Sequence, residues 1–291
     1  MTNINNVFYG KIDMKDFESG GQSCLLYMTD FFKILVTIIT VPIYATLIQK
    51  LIYKTLFNKN SDDMYYKDTS YNNDILLMKK SSLIEKLFGL LGILVYCFTV
   101  YKKANSQSLL FMLNPCHTLG LLQSICLLLK KSKFTDSLVI ITTNLLFCSV
   151  TALKSPNLVG LDQLEIMFFF IEHFNVLFTF PFAIIYFGRF NDLPLFNITS
   201  LIISHCFFGL YQRVLLFPLS RLTLVNLNYT LCCSLSDPFV KYIGIYYYIM
   251  SDYYLIVLSY ITKLFMHFIA YMFLGFNINK SNRKIKLIKN S

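Results

Sequence analysis

The feature that most constrains this chain is a series of long runs of Leu, Ile, Phe, Val and Tyr, with the charged residues confined to the gaps between them. Runs of roughly 18 or more apolar residues are long enough to cross a bilayer as helices. Only 14% of the residues are charged, whereas a soluble domain has about 25%. The sequence therefore predicts an all-α fold, a polytopic membrane helical bundle with about seven transmembrane helices.

The predicted spans occupy most of the chain, so the membrane part is the whole protein rather than an anchor. The spans are 31–52, 83–101, 109–129, 137–153, 164–187, 198–219 and 253–275. They form one membrane domain, preceded by a polar N-terminal segment that lacks the basic start and early apolar core of a signal peptide. The divisions are 1–28 for the N-terminal segment, 29–276 for the membrane domain with its polar loop 54–82, and 277–291 for the basic tail.

The distribution of Lys and Arg predicts an orientation for seven spans. The gaps and the tail on one side contain 16 of these residues, and those on the other side contain seven. Cytoplasmic loops carry the excess of positive charge. We therefore expect the C-terminus in the cytoplasm and the N-terminus on the opposite side.

The formal charge of +10 does not indicate nucleic acid, because the lysines flank apolar spans. That arrangement is typical of membrane topology and of contact with lipid headgroups. The eight cysteines form no CxxC pair, and no glycine pattern for nucleotide binding is present. We expect no metal and no cofactor. For Cys232 and Cys233 a structural role is favoured over palmitoylation or oxidation.

The first polar cluster inside a span lies in the sequence LLFMLNPCHTLGLLQ, which contains Asn114, Pro115, Cys116 and His117. Pro115 cannot donate a backbone hydrogen bond and is expected to open the helix locally. A cysteine in such a break can be reached by a substrate, and water or a cavity can satisfy the freed carbonyl. The local pattern fits a structural kink equally well.

The second cluster lies in LDQLEIMFFFIEHFNVLF, where Glu165 and Glu172 share one helix face and His173 follows directly. Ionisable residues inside a bilayer are costly and therefore candidates for function. One interpretation is a general base held by an acidic neighbour. The other is an ion-pair network with Arg213 or Lys263.

The four histidines all lie in predicted spans. His173 is a better candidate than His117 to deprotonate Cys116, because residues adjacent on one helix point about 100° apart. His205 and His267 have no polar company and are expected to hydrogen-bond a neighbouring helix.

A third polar set follows in and after the sixth predicted span. Arg213 could bind a lipid phosphate, or it could neutralise Glu165 or Glu172. Asn226 and Asn228 are candidates for substrate binding, and Asn228-Tyr-Thr is also an acceptor pattern for glycosylation.

Three stretches, FMLNPCHTLGLLQS, LEIMFFFIEHFNVLF and VNLNYTLCCSLSDPF, resemble the transmembrane protein 164 family in order and spacing, over roughly residues 83–275. The resemblance implies a membrane acyltransferase that acts on phospholipids, with ether-linked phosphatidylethanolamine as a proposed acceptor. The family's cysteine falls on Cys116 and its histidine on His173. The chain departs from the family pattern at Cys233, where a proline is expected, and in its long loop 54–82.

The implied mechanism is a two-step exchange with membrane phospholipids as donor and acceptor. Cys116, deprotonated by His173, attacks the donor ester and forms a thioester, and an acceptor hydroxyl then takes the acyl chain. Water as the acceptor would make the same site a lipase. The supporting groups are Asn114 or a backbone amide freed by Pro115 for the oxyanion, and Glu165 or Glu172 to orient His173.

Two other classes of function remain open from the residues alone. In a transporter or channel, the intramembrane Glu, His and Arg side chains would line a path and the NPCH element would act as a hinge. However, no inverted repeat of the kind found in many transporters is evident. The third interpretation is a scaffold or receptor-like protein. The endoplasmic reticulum is expected as the location from the lipid chemistry of the family.

Overall fold

The structure, a computed structural model, confirms the all-α membrane fold. It describes residues 7–10, 12–57, 82–156, 158, 160–186, 189–190, 193, 197–234 and 240–274. Most of the predicted loop 54–82 and all of the tail 277–291 lie outside the described residues. Among the residues described, six helical stretches are long and apolar enough to cross a membrane. These are Asp30–Lys50, Leu83–Asn105, Lys133–Lys154, Gln163–Ile185, Ile198–Thr223 and Tyr248–Met272.

Most of the described helices follow one another with short connections, whereas Asp30–Phe57 and Leu83–Asn105 are separated by the longer segment 58–82. In chain order they are α1 (Gly21–Leu26), α2 (Asp30–Phe57), α3 (Leu83–Asn105), α4 (Pro115–Leu128), α5 (Lys133–Asn144), α6 (Phe147–Lys154), α7 (Gln163–Phe174), α8 (Ile198–Leu210), α9 (Phe217–Thr223), α10 (Val240–Ile243) and α11 (Tyr247–Leu274).

Two of the spanning stretches change from α-helix to π-helix in the middle. α7 continues as the π-helical segments Asn175–Thr179 and Phe182–Tyr186, and Tyr211–Leu216 joins α8 to α9. Single 3₁₀ turns occupy Leu109–Leu113 and Leu227–Tyr229. π-helical turns occur frequently at functional sites, and the first of these begins directly after α7.

Helix α4 corresponds to the third predicted span but is only 14 residues long, or about 21 Å at 1.5 Å per residue. It still reaches from one end of the bundle to the other. Before its first residue, Asn114 accepts a hydrogen bond from the backbone of Asn228 (3.0 Å), and at its far end the carbonyl of Cys126 accepts one from Arg189 (2.6 Å). The predicted span 109–129 is not a single α-helix, because a 3₁₀ turn over Leu109–Leu113 precedes Asn114 and α4 begins at Pro115.

Close approach of small residues places α4 against its neighbours. A Cβ atom on Gly92 of α3 would lie 2.3 Å from the Ser124 hydroxyl, and one on Gly120 would lie 3.1 Å from a methyl of Val176. Small residues allow transmembrane helices to approach this closely. α4 is thereby held between α3 and the stretch that begins with α7.

We call one end of the bundle the arginine end, because Arg189 lies there. Arg189 pairs with Glu85 at 3.4 Å, and its guanidinium also donates to the carbonyl of Leu129. Lys131 donates to the carbonyl of Arg189 at 3.2 Å. Glu85 completes the capping box of α3 with Ser82. The start of α3 and the end of α4 therefore meet at this end.

We call the opposite end the disulfide end. Cys24 of the N-terminal segment is bonded to Cys232, 208 residues later. A backbone bridge joins Gly20 to Val225 alongside it. Gly20 has a φ of +140°, and a Cβ atom there would lie 2.1 Å from the carbonyl oxygen of Leu224. The described part of the polar segment 1–28 is therefore folded over this end of the bundle.

Candidate active site

A cavity lies towards the disulfide end. Its volume of about 300 Å³ is at the lower limit of the usual size of ligand pockets. Its lining includes Asn114, Cys116 and His117 from the start of α4, and His173 from the end of α7. Two helices that are distant in sequence thus contribute to one space. The structure brings together most of the residues predicted for the site.

The position of Cys116 follows from how α4 begins. Pro115 occupies the first turn, where its missing N–H and fixed φ suit a helix start. The carbonyl of Leu113, just before Asn114, is anchored, since it accepts a hydrogen bond from the Tyr211 hydroxyl at 2.6 Å. The prediction that Pro115 opens a helix from within is therefore wrong. Cys116 is reachable because it lies at a helix N-terminus, where backbone amides have no partner within the helix.

Cys116 is a free, partly exposed thiol in this first turn. It lies beside the backbone amides of Cys116 and His117. Amides and the positive end of a helix dipole stabilise negative charge on a thiolate or an oxyanion. The carbonyl oxygen of the Asn114 side chain is occupied by Asn228, and its NH₂ group makes no hydrogen bond to the described residues. The amides of His117 and Thr118 donate to the Asn114 carbonyl, so the donors left at the start of α4 are the Cys116 amide and the Asn114 NH₂ group.

His173 is buried, with 1% of its surface exposed. Its Nδ1 lies 2.7 Å from the carbonyl oxygen of Phe169. A carbonyl can only accept, so Nδ1 carries the proton and Nε2 carries the lone pair. No described group hydrogen-bonds that Nε2. The imidazole is therefore held in the tautomer that a general base requires.

His117 and Glu172 form a buried hydrogen-bonded pair in the site. His117 Nδ1 lies 2.7 Å from Glu172 Oε1, and both side chains are almost fully buried. The ring centroids of His117 and His173 are 6.1 Å apart. The expectation that Glu172 orients His173 is wrong. The Glu172 carboxylate bonds His117, and the backbone carbonyl of Phe169 orients His173.

Glu165 does not support the site. Its carboxylate accepts a hydrogen bond from the backbone of Asp162 (3.2 Å), and its own backbone donates to the Asp162 side chain (2.8 Å). This reciprocal arrangement is a capping box at the start of α7. The prediction that Glu165 orients His173 is corrected, because Glu165 lies more than two turns before His173 and caps its own helix.

Arg213 lines the cavity but is paired. Its guanidinium binds Asp252 of α11 at 2.6 Å and lies over the rings of Tyr44 and Tyr248. Arg213 therefore does not neutralise Glu165 or Glu172 as one interpretation required. Lys263, the other proposed partner, donates to the Asn144 side chain at 2.6 Å.

Asn226 and Asn228 border the cavity in different ways. The Asn226 side chain is used by the backbone, since it donates to the carbonyl of Glu18 (2.9 Å) and accepts from the amide of Leu231 (3.0 Å). The role of Asn226 in substrate binding is therefore corrected to a structural one. Asn228 has a φ of 47°, and its backbone amide holds Asn114.

The remaining histidines lie apart from this cluster. His205 stacks on Phe147, with ring centroids 5.3 Å apart. The Nε2 of His205 has no hydrogen-bond partner within the described residues. His267 is on α11 and does not line the cavity.

Sequence reasoning missed Lys103, which lines the cavity from the last turn of α3. It was assigned to the charge count of a loop, because it follows Lys102 at the end of a predicted span. It also missed Asp252, the partner of Arg213, which falls at the margin of the last predicted span. In the described part of the chain, no three His, Cys, Asp or Glu side chains are arranged to hold a metal ion.

Comparison with known families gives a match to the model of the TMEM164 family over residues 23–271. This range includes both helices that carry the cavity cluster and most of the chain. No solved structure matches the chain. The chain belongs to the TMEM164 family.

Proposed function

We propose that this chain is a membrane acyltransferase that moves a fatty acyl group between phospholipids through a thioester on Cys116. The observation that carries the proposal is the shared cavity, in which a free thiol at a helix start faces the same space as His173 with its unpartnered Nε2. Cysteine acyl transfer requires a thiol and a base in one site, and here two separate helices supply them.

In the first step the Cys116 thiol gives its proton to Nε2 of His173, and the sulfur attacks the carbonyl carbon of a donor ester. The carbonyl oxygen becomes an oxyanion, for which the Cys116 amide and the Asn114 NH₂ are suitable donors. The carbon–oxygen ester bond then breaks. The leaving lysolipid oxygen takes the proton from His173, and the acyl group stays on sulfur.

In the second step an acceptor hydroxyl gives its proton to His173 Nε2 and attacks the thioester carbon. The carbon–sulfur bond breaks, and the sulfur recovers the proton from the imidazolium. The buried Glu172 carboxylate, next in sequence to His173 and bonded to His117, favours the transient positive charge on this cluster. If water replaced the hydroxyl, the same steps would hydrolyse the lipid.

The fold also supports an orientation for the proposed enzyme. Disulfides persist in oxidising compartments, such as the endoplasmic reticulum lumen or the cell exterior. The Cys24–Cys232 bond therefore supports a disulfide end that faces away from the cytosol, and seven passes then leave the C-terminus in the cytoplasm. Alkylation in sealed microsomes should label neither cysteine before reduction. Labelling of both without a reductant would contradict this orientation.

The activity is tested with purified full-length chain and a phospholipid that carries a labelled acyl group. We expect Cys116→Ala to abolish transfer to a lysophospholipid acceptor. We expect His173→Gln to lower it by about 100-fold or more, as for loss of a general base. Cys126→Ala is the matched control, because Cys126 is a buried thiol on the same helix outside the cavity. Equal transfer in wild type and Cys116→Ala would overturn the proposal.

A transporter remains the rival function for the same cavity. It predicts movement of a labelled substrate across a vesicle membrane without formation of a new ester, and it predicts no selective effect of Cys116→Ala. Product analysis in the same assay separates the two functions, since only transfer yields a new acyl lipid.

A further inference from the structure

We propose that Lys103 binds the phosphate group of the phospholipid whose ester is attacked by Cys116. The inference rests on the proposed function for its substrate class. Binding of the phosphate by Lys103 can be tested without acyl transfer. The bound group is a phosphate ester anion, which the Lys103 ammonium holds beside the Cys116 thiol.

Lys103 and Cys116 line the same cavity. Within the described residues, the Lys103 ammonium has no ion-pair partner, and the residue is half-buried. Arg213 is neutralised by Asp252 at 2.6 Å. Lys154 also borders the cavity but is exposed. Taking charge out of water without a counterion is costly, so an anionic ligand at Lys103 would be favoured.

The position of Lys103 is tied to that of the thiol. Its Nζ lies 5.7 Å from the centre of the Phe111 ring. Phe111 belongs to the 3₁₀ turn Leu109–Leu113, which leads directly into α4 and Cys116. The carbonyl of Lys103 accepts a hydrogen bond from the amide of Ser108 at 2.8 Å. The short segment from Lys103 to Cys116 thus fixes the position of the Lys103 ammonium relative to the Cys116 thiol.

The chemistry of a glycerophospholipid fits an ammonium and a thiol in these positions. Its phosphate and its acyl ester are attached to the same three-carbon glycerol unit, so an enzyme that binds the phosphate places the ester carbonyl a few bonds away. Lysine binds phosphate as a point charge. The cavity, at about 300 Å³, suits the glycerol and phosphate part of a lipid, while the acyl chains extend into the bilayer.

The adjacent residue provides a matched control. Lys102 lies on the same turn of α3 but is bonded to Asp162 at 2.5 Å and does not line the cavity. The hydrogen bond from Lys102 holds the pKa of the Asp162 carboxyl below its usual value. Lys102→Met and Lys103→Met remove the same charge from neighbouring positions. A general electrostatic effect would therefore appear in both variants.

The test measures binding of a fluorescent dialkyl ether phosphatidylethanolamine to the full-length chain in detergent. This probe has no acyl ester and cannot be turned over. We expect Lys103→Met to weaken its Kd about tenfold or more, as for loss of a charge-assisted contact. We expect Lys103→Arg and Lys102→Met to bind like wild type. Equal weakening by Lys102→Met, or no weakening by Lys103→Met, would overturn the proposal.

Two further probes identify the ligand chemistry. A dialkylglycerol without phosphate should bind the wild type and Lys103→Met equally. Glycerol 3-phosphate should compete with the fluorescent lipid in the wild type if the free phosphate ester suffices, and should fail if the lipid chains are also needed. A loss of dialkylglycerol binding equal to the loss of phospholipid binding would contradict a phosphate contact.

Turnover separates this proposal from the proposed function. With an active wild type, Lys103→Met should raise KM for phosphatidylethanolamine and leave the turnover of diacylglycerol unchanged. If Lys103 acted on the thiol instead, kcat would fall equally for both lipids and the phosphate subsite would be refuted. If the wild type transfers no acyl group but binds the ether lipid through Lys103, the acyltransferase is refuted and the subsite stands.

Discussion

The two ends of helix Pro115–Leu128 are treated in opposite ways by the rest of the protein. At the arginine end its last carbonyls are occupied, because the Arg189 guanidinium donates to Cys126 at 2.6 Å and to Leu129. At the disulfide end α4 starts without a side-chain cap. The amides of His117 and Thr118 reach only the Asn114 carbonyl, and Cys116 and His117 line a cavity. A helix terminus that only needed stability would be capped in the usual way, so the open end indicates a place where something else binds.

Charge is also handled differently at the two ends. The cation at the arginine end, Arg189, is buried and lies 3.4 Å from Glu85. At the disulfide end, the Lys103 ammonium has no such partner within the described residues, and the Nε2 of His173 is also unpartnered. Unpaired polar groups in a buried site are costly. Because Lys103 and His173 line the same cavity, their unpartnered groups favour a functional site there rather than a purely structural scaffold.

The largest expected effect comes from the arginine end. Arg189→Met should destabilise the protein by about 3–5 kcal/mol, because it leaves the buried Glu85 carboxylate without its partner. Unfolding temperature in detergent, followed by intrinsic fluorescence, measures this. The double variant Glu85→Gln with Arg189→Met should recover part of the loss, since no isolated charge remains.

Ether-lipid binding by Arg189→Met tests whether the two ends of α4 differ in role. If Arg189→Met abolished ether-lipid binding while leaving the unfolding temperature unchanged, the arginine end would belong to the binding site. The two ends of α4 would then not differ in role.

A smaller effect is expected at the open end from Glu172→Gln. The amide keeps an acceptor for His117 but removes the charge beside the two imidazoles. We expect acyl transfer to fall about tenfold, which corresponds to about 1.4 kcal/mol in the barrier, with little change in unfolding temperature. The measurement is kcat in the labelled-lipid assay.

Glu165→Gln is the control for this substitution, because it lies seven residues earlier on the same helix and only caps it. A glutamine can complete the same capping box, so transfer should be unchanged. A tenfold loss in both variants would show that the helix, rather than the Glu172 charge, controls the rate.

Much of the fold could be predicted from the sequence, since hydropathy and the length of apolar runs determine where helices can cross a bilayer. The start of α4 could not, because a proline inside an apolar run fits both a kink and a first helical turn. The disulfide between Cys24 and Cys232 joins residues 208 apart. No pattern local to either cysteine specifies that pairing.

The site was predictable in its residue types but not in its contacts. Cys116, His117 and His173 were identifiable as reactive groups in apolar surroundings. The orienting partner of His173 is the backbone carbonyl of Phe169, and any residue type supplies a carbonyl. Lys103 was hidden for a related reason, because only three-dimensional placement distinguishes a lysine that enters a cavity from the neighbouring lysine that pairs with Asp162.

The most direct test of the central claim is a search for the acyl-enzyme. Purified chain is incubated with a phospholipid that carries an isotope-labelled acyl group, then quenched in acid and analysed by intact and peptide mass spectrometry. We predict one labelled acyl group on the peptide that contains Cys116, removable by neutral hydroxylamine as a thioester is, and no label on the same peptide of Cys116→Ala. Transfer of the label to an acceptor lipid with full activity in Cys116→Ala and with no adduct on Cys116 would contradict the account.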